Sequence, residues 1–234
     1  ISMPADVSEY NHLILTASGN NYVTMPNANI EIHGNLTSNG DSDSGYNRFN
    51  TSGTQRTVTV DGNLTVGSGT LAFSGNTEQN LIVRGNIKVE NNANFSAKGN
   101  GNRTNQLTIY GNMDVAGTLN FTNGQYNVAT TFTGTANDTI KGAGSISLYT
   151  LTCDKGSDAT PVLSVENRNL TASGQNGAFL NLLNGTFRAD GDGVEITITE
   201  GHDFEIRSTA CLSAKRGKLY ICKSGDQRYN VNLH

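Results

Sequence analysis

Tryptophan is missing from this chain, cysteine and proline occur three times each, and 15% of the residues are charged. Each scarcity removes something. Without Trp the broadest aromatic face for stacking on a sugar ring is gone, which weakens the case for a flat sugar-binding platform. Cys153, Cys211 and Cys222 leave at least one thiol unpaired and match no zinc-ligand spacing. If Arg216-Gly217 were a two-residue hairpin turn, Cys211 would face Cys222 and could be bridged; two separate buried thiols are the alternative. A net charge of −4 with no basic stripe disfavours nucleic acid as a partner. No apolar run approaches the ~18–20 residues that cross a bilayer, so no membrane span is expected. Ile1-Ser-Met-Pro has no basic segment leading into an apolar one, so no signal peptide is expected either. The text opens in mid-pattern, as a processed chain or a fragment of a longer protein would.

What is present is glycine, 27 residues of it, among many Asn, Thr and Ser, with 35% apolar residues. So polar a chain could be disordered. Its apolar residues are regularly spaced, however, and its charge is low, which points to strands with one buried face.

The stretch VDGNLTV at 60–66 recurs as IEIHGNLT at 30–37, IVRGNIKV at 82–89 and TIYGNMDV at 108–115. A unit that cannot bury its own apolar face must stack on copies of itself. Counting from Gly62, Gly85 and Gly111, apolar residues stand at −4, −2, +2 and +4, and the unit around Gly34 fills three of those places. Period two means strand, with these side chains on one face. The glycines share the inward phase, where a strand turning a corner around a narrow core has no room for a side chain. A third short strand carries an aromatic, Phe73, Phe95 or Phe121, lying 11, 10 and 10 positions after its glycine. These rings should form one column.

Successive glycines are 28, 23 and 26 residues apart. The expectation is an all-β fold, a right-handed parallel β-helix (β-solenoid) with about three strands and 23–28 residues per coil. Hairpins in a sandwich would favour Asn-Gly turns, whereas here the order is mostly Gly-Asn. Nine or ten coils at ~4.8 Å would give a rod of roughly 45 Å. The whole chain, 1–234, reads as a single solenoid segment, with regular Gly-Asn coils over 1–126 and less regular ones over 127–234. Asn35, Asn63, Asn86 and Asn112 become axial neighbours whose amides can bond head to tail. Alternation turns them outward and a bend at Gly-Asn would turn them in; tolerance of left-handed backbone is the simpler reason for Asn at a corner. Length variation collects between the Phe strand and the next coil, in NGDSDSGYNRFNTSGTQR, SGNTEQN and SAKGNGNRTNQ. That edge is the variable face of the solenoid.

Chemistry is sparse. Pectin-type hydrolases on β-helices carry Asn-Thr-Asp, Asp-Asp and Gly-His-Gly segments that supply acid, base and a positioned water. Here GHD at 201–203, with His202, is the nearest echo, and no Asp-Asp pair occurs. DGDG at 190–193, with Asp190, Asp192 and Glu195, could form a calcium corner or an ordinary turn. DSDSG at 41–45 begins like a calcium loop, but its glycine comes late and no Glu closes it. His12, His33, His202 and His234 are scattered, and Tyr10, Tyr22, Tyr46, Tyr110 and Tyr126 show no common face. KRGK at 215–218 reads as a basic turn. Asn-x-Ser/Thr triplets at Asn35, Asn63, Asn94 and Asn120 are of the kind an Asn- and Thr-rich chain generates by chance. No catalytic residue, metal or cofactor is assigned.

The order Tyr-Asn-x-Leu-x-Leu, a Gly-Asn break, a Met-Pro turn and a closing Gly-Asn-Leu-Thr resembles repeats of very large Bacteroidetes surface proteins. These include gliding-motility adhesins exported by type IX secretion. YNHLILTASGNNYVTMPNANIEIHGNLT at 10–37 and TFTGTANDTIKGAGSISLYTLTCDKG at 131–156 both read this way, and Asp138-Thr139-Ile140 resembles the short O-glycosylation signal of that phylum. The resemblance implies a secreted rod on the cell surface, built for attachment or gliding, with no catalytic residues to carry over. Its partners would be a surface or glycan ligand at the variable loops, neighbouring repeats of the same polypeptide, and the secretion machinery during export. A C-terminal sorting domain of such proteins is not apparent. The alternatives are a polysaccharide lyase or hydrolase on the same fold and a non-catalytic glycan-binding module.

Overall fold

In a computed structural model the chain winds into a parallel β-solenoid of about eight turns with roughly 24 residues per coil. The structure describes residues 1–41, 45–51, 53–172, 179–200, 204–223 and 231–233. The GHD stretch, His234 and the middle of DSDSG lie outside the described residues. Eight turns at ~4.8 Å make a rod of ~38 Å, shorter than nine or ten coils would give. Coil length is also more elastic than the glycine spacing suggests: Thr130 to Leu151 is 21 residues, and Leu151 to Leu180 is 29.

Three sides make up each coil. The first runs through Ile30–Ile32, Arg56–Val60, Gln79–Val83, Arg103–Ile109, Tyr126–Gly134 and Thr150–Lys155. The second runs through Leu13–Ala17, Leu36–Gly40, Leu64–Val66, Ile87–Val89, Met113–Val115, Asp138–Lys141 and Val162–Val165. The third holds Val23–Thr24, Asn47–Arg48, Gly69–Phe73, Ala93–Ala97, Thr118–Asn120, Ser145–Leu148 and Leu170–Ala172. One long strand, Leu180–Ala189, serves the first two sides in turn.

Every strand pairs in parallel with its counterpart one coil away, apart from a small antiparallel contact between Thr122–Asn123 and Tyr126–Asn127 among the described residues. Like therefore sits on like: Val58 faces Leu81, which faces Leu107; Leu64 faces Ile87, which faces Met113. All six side chains are buried, the apolar stripe of each coil closing against the next.

The phenylalanines depart from a single column. Phe95 registers with Leu71 and Leu119, while Phe73 registers with Ala97. The corner after the second side sets this. Val66 to Gly69 takes three steps, Val89 to Ala93 takes four, and Asn92 in the longer corner has φ 62°. The rings interleave across two columns and still touch, with centroids 5.8 Å apart for Phe73–Phe95 and 5.0 Å for Phe95–Phe121. Phe49 extends the stack, 4.6 Å from Phe73.

The C-terminal strands correct a second expectation. Ala210–Ala214 pairs with Gly185–Ala189, whereas Lys218–Lys223 pairs with Glu195–Glu200, both in parallel. Residues 215–217 are thus a corner between sides rather than a hairpin turn, and Cys211 is a free thiol. The side chain of Cys222 lies outside the described residues.

Candidate functional site

The Gly-Asn corner between the first and second sides is an outward ladder. Asn35 Oδ1 accepts the Asn63 amide N–H at 2.8 Å, Asn63 Oδ1 that of Asn86 at 2.8 Å, and Asn86 Oδ1 that of Asn112 at 2.8 Å. Side-chain amides join in, Asn86 Nδ2 donating to Asn63 at 3.2 Å and Asn112 Nδ2 to Asn86 at 3.0 Å. His12 Nδ1 starts the ladder by accepting from Asn35 N at 3.0 Å, and Thr139 N ends it on Asn112 Oδ1 at 2.9 Å. Asn35, Asn63 and Asn86 are exposed, so this ladder belongs to the surface.

The same ladder explains the glycines differently from core crowding. A Cβ on Gly62 would stand 2.4 Å from Asn35 Oδ1 and 2.6 Å from Gly34 O; on Gly85 it would stand 2.5 Å from Gly62 O. What leaves no space is the previous coil's corner, and none of Gly34, Gly62, Gly85 and Gly111 has positive φ. Because water can replace an exposed amide, Asn63→Ala is expected to cost only about 1 kcal/mol in urea unfolding. It should also speed hydrogen exchange at the Asn86 amide; unchanged exchange there would mean that the ladder does not hold the corner.

Sequence reasoning missed a set of polar residues inside the rod. Gln79 and Asn105 occupy the inward phase two places before Leu81 and Leu107, and both are buried. Gln79 N donates to Asn105 Oδ1 at 2.9 Å, Arg56 N donates to Gln79 Oε1 at 3.2 Å, and Asn105 Nδ2 donates to Asn127 O at 3.1 Å. On the third side Asn47 Nδ2 serves Leu15 O, Ser38 Oγ and Asn39 O at 3.2, 2.9 and 2.8 Å. These amides satisfy backbone at corners where strand pairing lapses. Deeper still, Lys155, 0% exposed, pairs with Asp138, 3% exposed, and its Nζ also donates to Thr133 O at 3.0 Å. Asp138 of the Asp138-Thr139-Ile140 stretch is therefore committed to the core. Cys153, one place from that pair in the inward phase, is buried, and burial pushes its thiol up to about 12; so high a value keeps it protonated and unreactive at neutral pH.

Of the acids in DGDG and beside it, which read as a calcium corner or an ordinary turn, Asp190 and Glu195 meet cations. Asp190 Oδ1 lies 2.9 Å from Arg216 Nε and Oδ2 lies 3.6 Å from Lys215 Nζ, and the Arg216 hydrogen bond holds this carboxyl below the usual range. Glu195 accepts from Lys218 at 2.8 Å, and Asp192 is exposed. Among the described residues no three His, Cys, Asp or Glu gather as a metal site, and no helix is long and apolar enough to cross a membrane. His33 sits against Asp61 at 3.4 Å on the outer surface, apart from His12 on its ladder.

Two tyrosines do share a face. Tyr22 and Tyr46, at the starts of neighbouring third-side strands, meet edge to face at 4.8 Å. Arg48 lies 4.2 Å over the Tyr22 ring and Lys98 lies 4.9 Å over that of Tyr46. Tyr126, by contrast, is buried beneath the variable loops, its hydroxyl donating to Thr77 O at 3.4 Å. Compared with known proteins, the chain matches no protein-family model, no curated protein and no solved structure.

Proposed function

We propose that this chain is a structural and adhesive segment of a bacterial surface protein, a stiff rod that holds binding loops away from the cell. The observation that supports the reading best is the division of labour around the coil. Strands on all three sides stack in parallel, while inserted length falls at the corners, at residues 74–78 and 98–102 between the third and first sides, between Leu36–Gly40 and Asn47–Arg48 on the second-to-third edge, and at 156–161 between the first and second. A continuous ladder satisfies the backbone internally and resists bending. Loops that interrupt no strand can then vary freely in sequence. The resemblance to gliding-motility adhesin repeats points to the same role and to an extracellular location.

Two measurements test this together. Stretched singly from its ends, the rod is expected to stay closed at low force and then to lengthen in steps of whole coils. Beads coated with it are expected to be retained on glycan-bearing surfaces, and loss of retention on replacing a loop by a short Gly-Ser turn would place attachment at that loop. Release of oligosaccharides from acidic or neutral polysaccharides, abolished by Asp190→Ala or Asp192→Ala, would overturn the proposal in favour of an enzyme.

A further inference from the structure

Charge is distributed unequally around the rod. Along the Gly-Asn corner and the second side, cations and carboxylates neutralise one another: Arg84 meets Asp61 at 3.1 Å, Lys88 meets Glu90 at 2.6 Å and Lys141 meets Asp114 at 3.7 Å. Near the variable-loop edge the arrangement changes. Arg48, Arg56, Lys98 and Arg103 form no ion pair with any described carboxylate. The described acids there, Asp41 and Glu78, face backbone, with Gly19 N 2.8 Å from Asp41 Oδ1 and Thr104 N 3.5 Å from Glu78 Oε1.

Arg48 and Lys98 are nevertheless held in place, by rings instead of counter-charges. The Tyr22–Tyr46 pair orients both through the faces of the aromatic rings. Arg48 Nε donates to Thr24 Oγ1 at 2.8 Å, so anion recognition falls to its terminal nitrogens. Beside it runs an open groove of about 260 Å³ whose walls include Ser2, Asn27 and Thr51, side chains able to hydrogen-bond hydroxyl groups. A cation already fixed by its neighbours loses little freedom when a ligand arrives.

We propose that this edge binds an anionic polysaccharide, a chain of carboxylated or sulfated sugars lying along the rod across Arg48 and Lys98. The inference rests on the loop-display reading and names its ligand class. Arg48 ends the strand Asn47–Arg48 and Lys98 directly follows Ala93–Ala97 two coils on, an axial step of ~10 Å between their backbones. Such sparse positive charge suits a polymer with one anion every ring or two. It suits duplex DNA poorly, because that polymer carries a charge every ~1.7 Å, far more closely than these two cations stand.

The test uses the whole chain immobilised on a sensor, with polygalacturonate, chondroitin sulfate, unmodified dextran and duplex DNA as probes. Binding is expected to one or both acidic polysaccharides and not to dextran, and to weaken as salt rises. Arg48→Gln and Lys98→Gln are each expected to weaken it about tenfold, one charge-assisted contact apiece. Arg84→Gln, on the neutralised corner, should leave it unchanged, and Arg48→Lys should retain part of it. Far-UV circular dichroism and melting of each variant separate lost binding from lost fold. No binding to either acidic polysaccharide by the wild-type chain, or equal binding by the two Gln variants when folded, overturns the proposal, as does tighter binding to DNA than to both. If coated beads still attach to surfaces while neither acidic polymer binds, the display reading stands and this assignment alone fails.

Discussion

Replacing Lys155 with methionine is expected to lower the unfolding free energy by about 3–5 kcal/mol. The change strands its partner, because Met leaves a buried carboxyl without its cation. The double variant Asp138→Leu with Lys155→Met removes both charges and is expected to recover most of the loss, because a buried pair is costly to break but not to replace. Urea unfolding followed by circular dichroism reads both. A Lys155→Met cost below about 1 kcal/mol would show that water reaches the pair and screens it.

The pH response has a definite sign. Burial raises the Asp138 carboxyl above its ordinary value, against the opposing pull of Lys155. The folded state therefore holds this proton more tightly than the unfolded chain. Stability from this residue is fully present below the unfolded value and is lost as pH rises through the raised, folded one. Acid is not expected to unfold the rod through Asp138; the wild type should gain on Asp138→Asn as pH falls toward the ordinary aspartate range.

Phe95→Ala is expected to cost about 4 kcal/mol, because the ring is fully enclosed and its loss leaves a cavity between coils that strand pairing holds at fixed separation. Phe95 lies 5.8 Å from Phe73 and 5.0 Å from Phe121, so its removal also ends ring contact on both sides. Phe95→Leu, keeping most of the volume, should cost about 1 kcal/mol. If Phe95→Ala proved as mild as Tyr110→Ala on the outer surface, the interleaved stack would not be a principal part of the core.

These two expectations were legible to different degrees. That Phe73, Phe95 and Phe121 point inward follows from alternation, and the observed core agrees. That they interleave does not, because register depends on whether a corner takes three steps or four, and corner residues have no periodic signature. Lys155 stands in the inward phase after Leu151 and Cys153, and Asp138 two places before Ile140, so alternation was the signal that could have placed both inside, though it went unused. Nothing in the text pairs them. They lie 17 positions apart on different sides of successive coils, and only the winding brings them together. Gln79 and Asn105 follow the same logic: inward position is a local property, whereas the backbone groups they satisfy belong to neighbouring coils.

The sequence by itself determined the repeating strand, its inward stripe and the glycine corners, whereas inserted length falls on all three edges rather than the one that the text suggests. Strand, stripe and corners follow from period-two geometry and from the need of identical units to stack. Tertiary structure alone decided which columns the rings occupy, that the asparagine ladder faces water, and that Tyr22, Tyr46, Arg48 and Lys98 share a surface. It also decided that Asp190 answers to Arg216 rather than standing free. The reason is common to all: contact between coils joins residues about two dozen positions apart, and a change of one or two residues in a corner re-pairs them without altering the alternation along either strand.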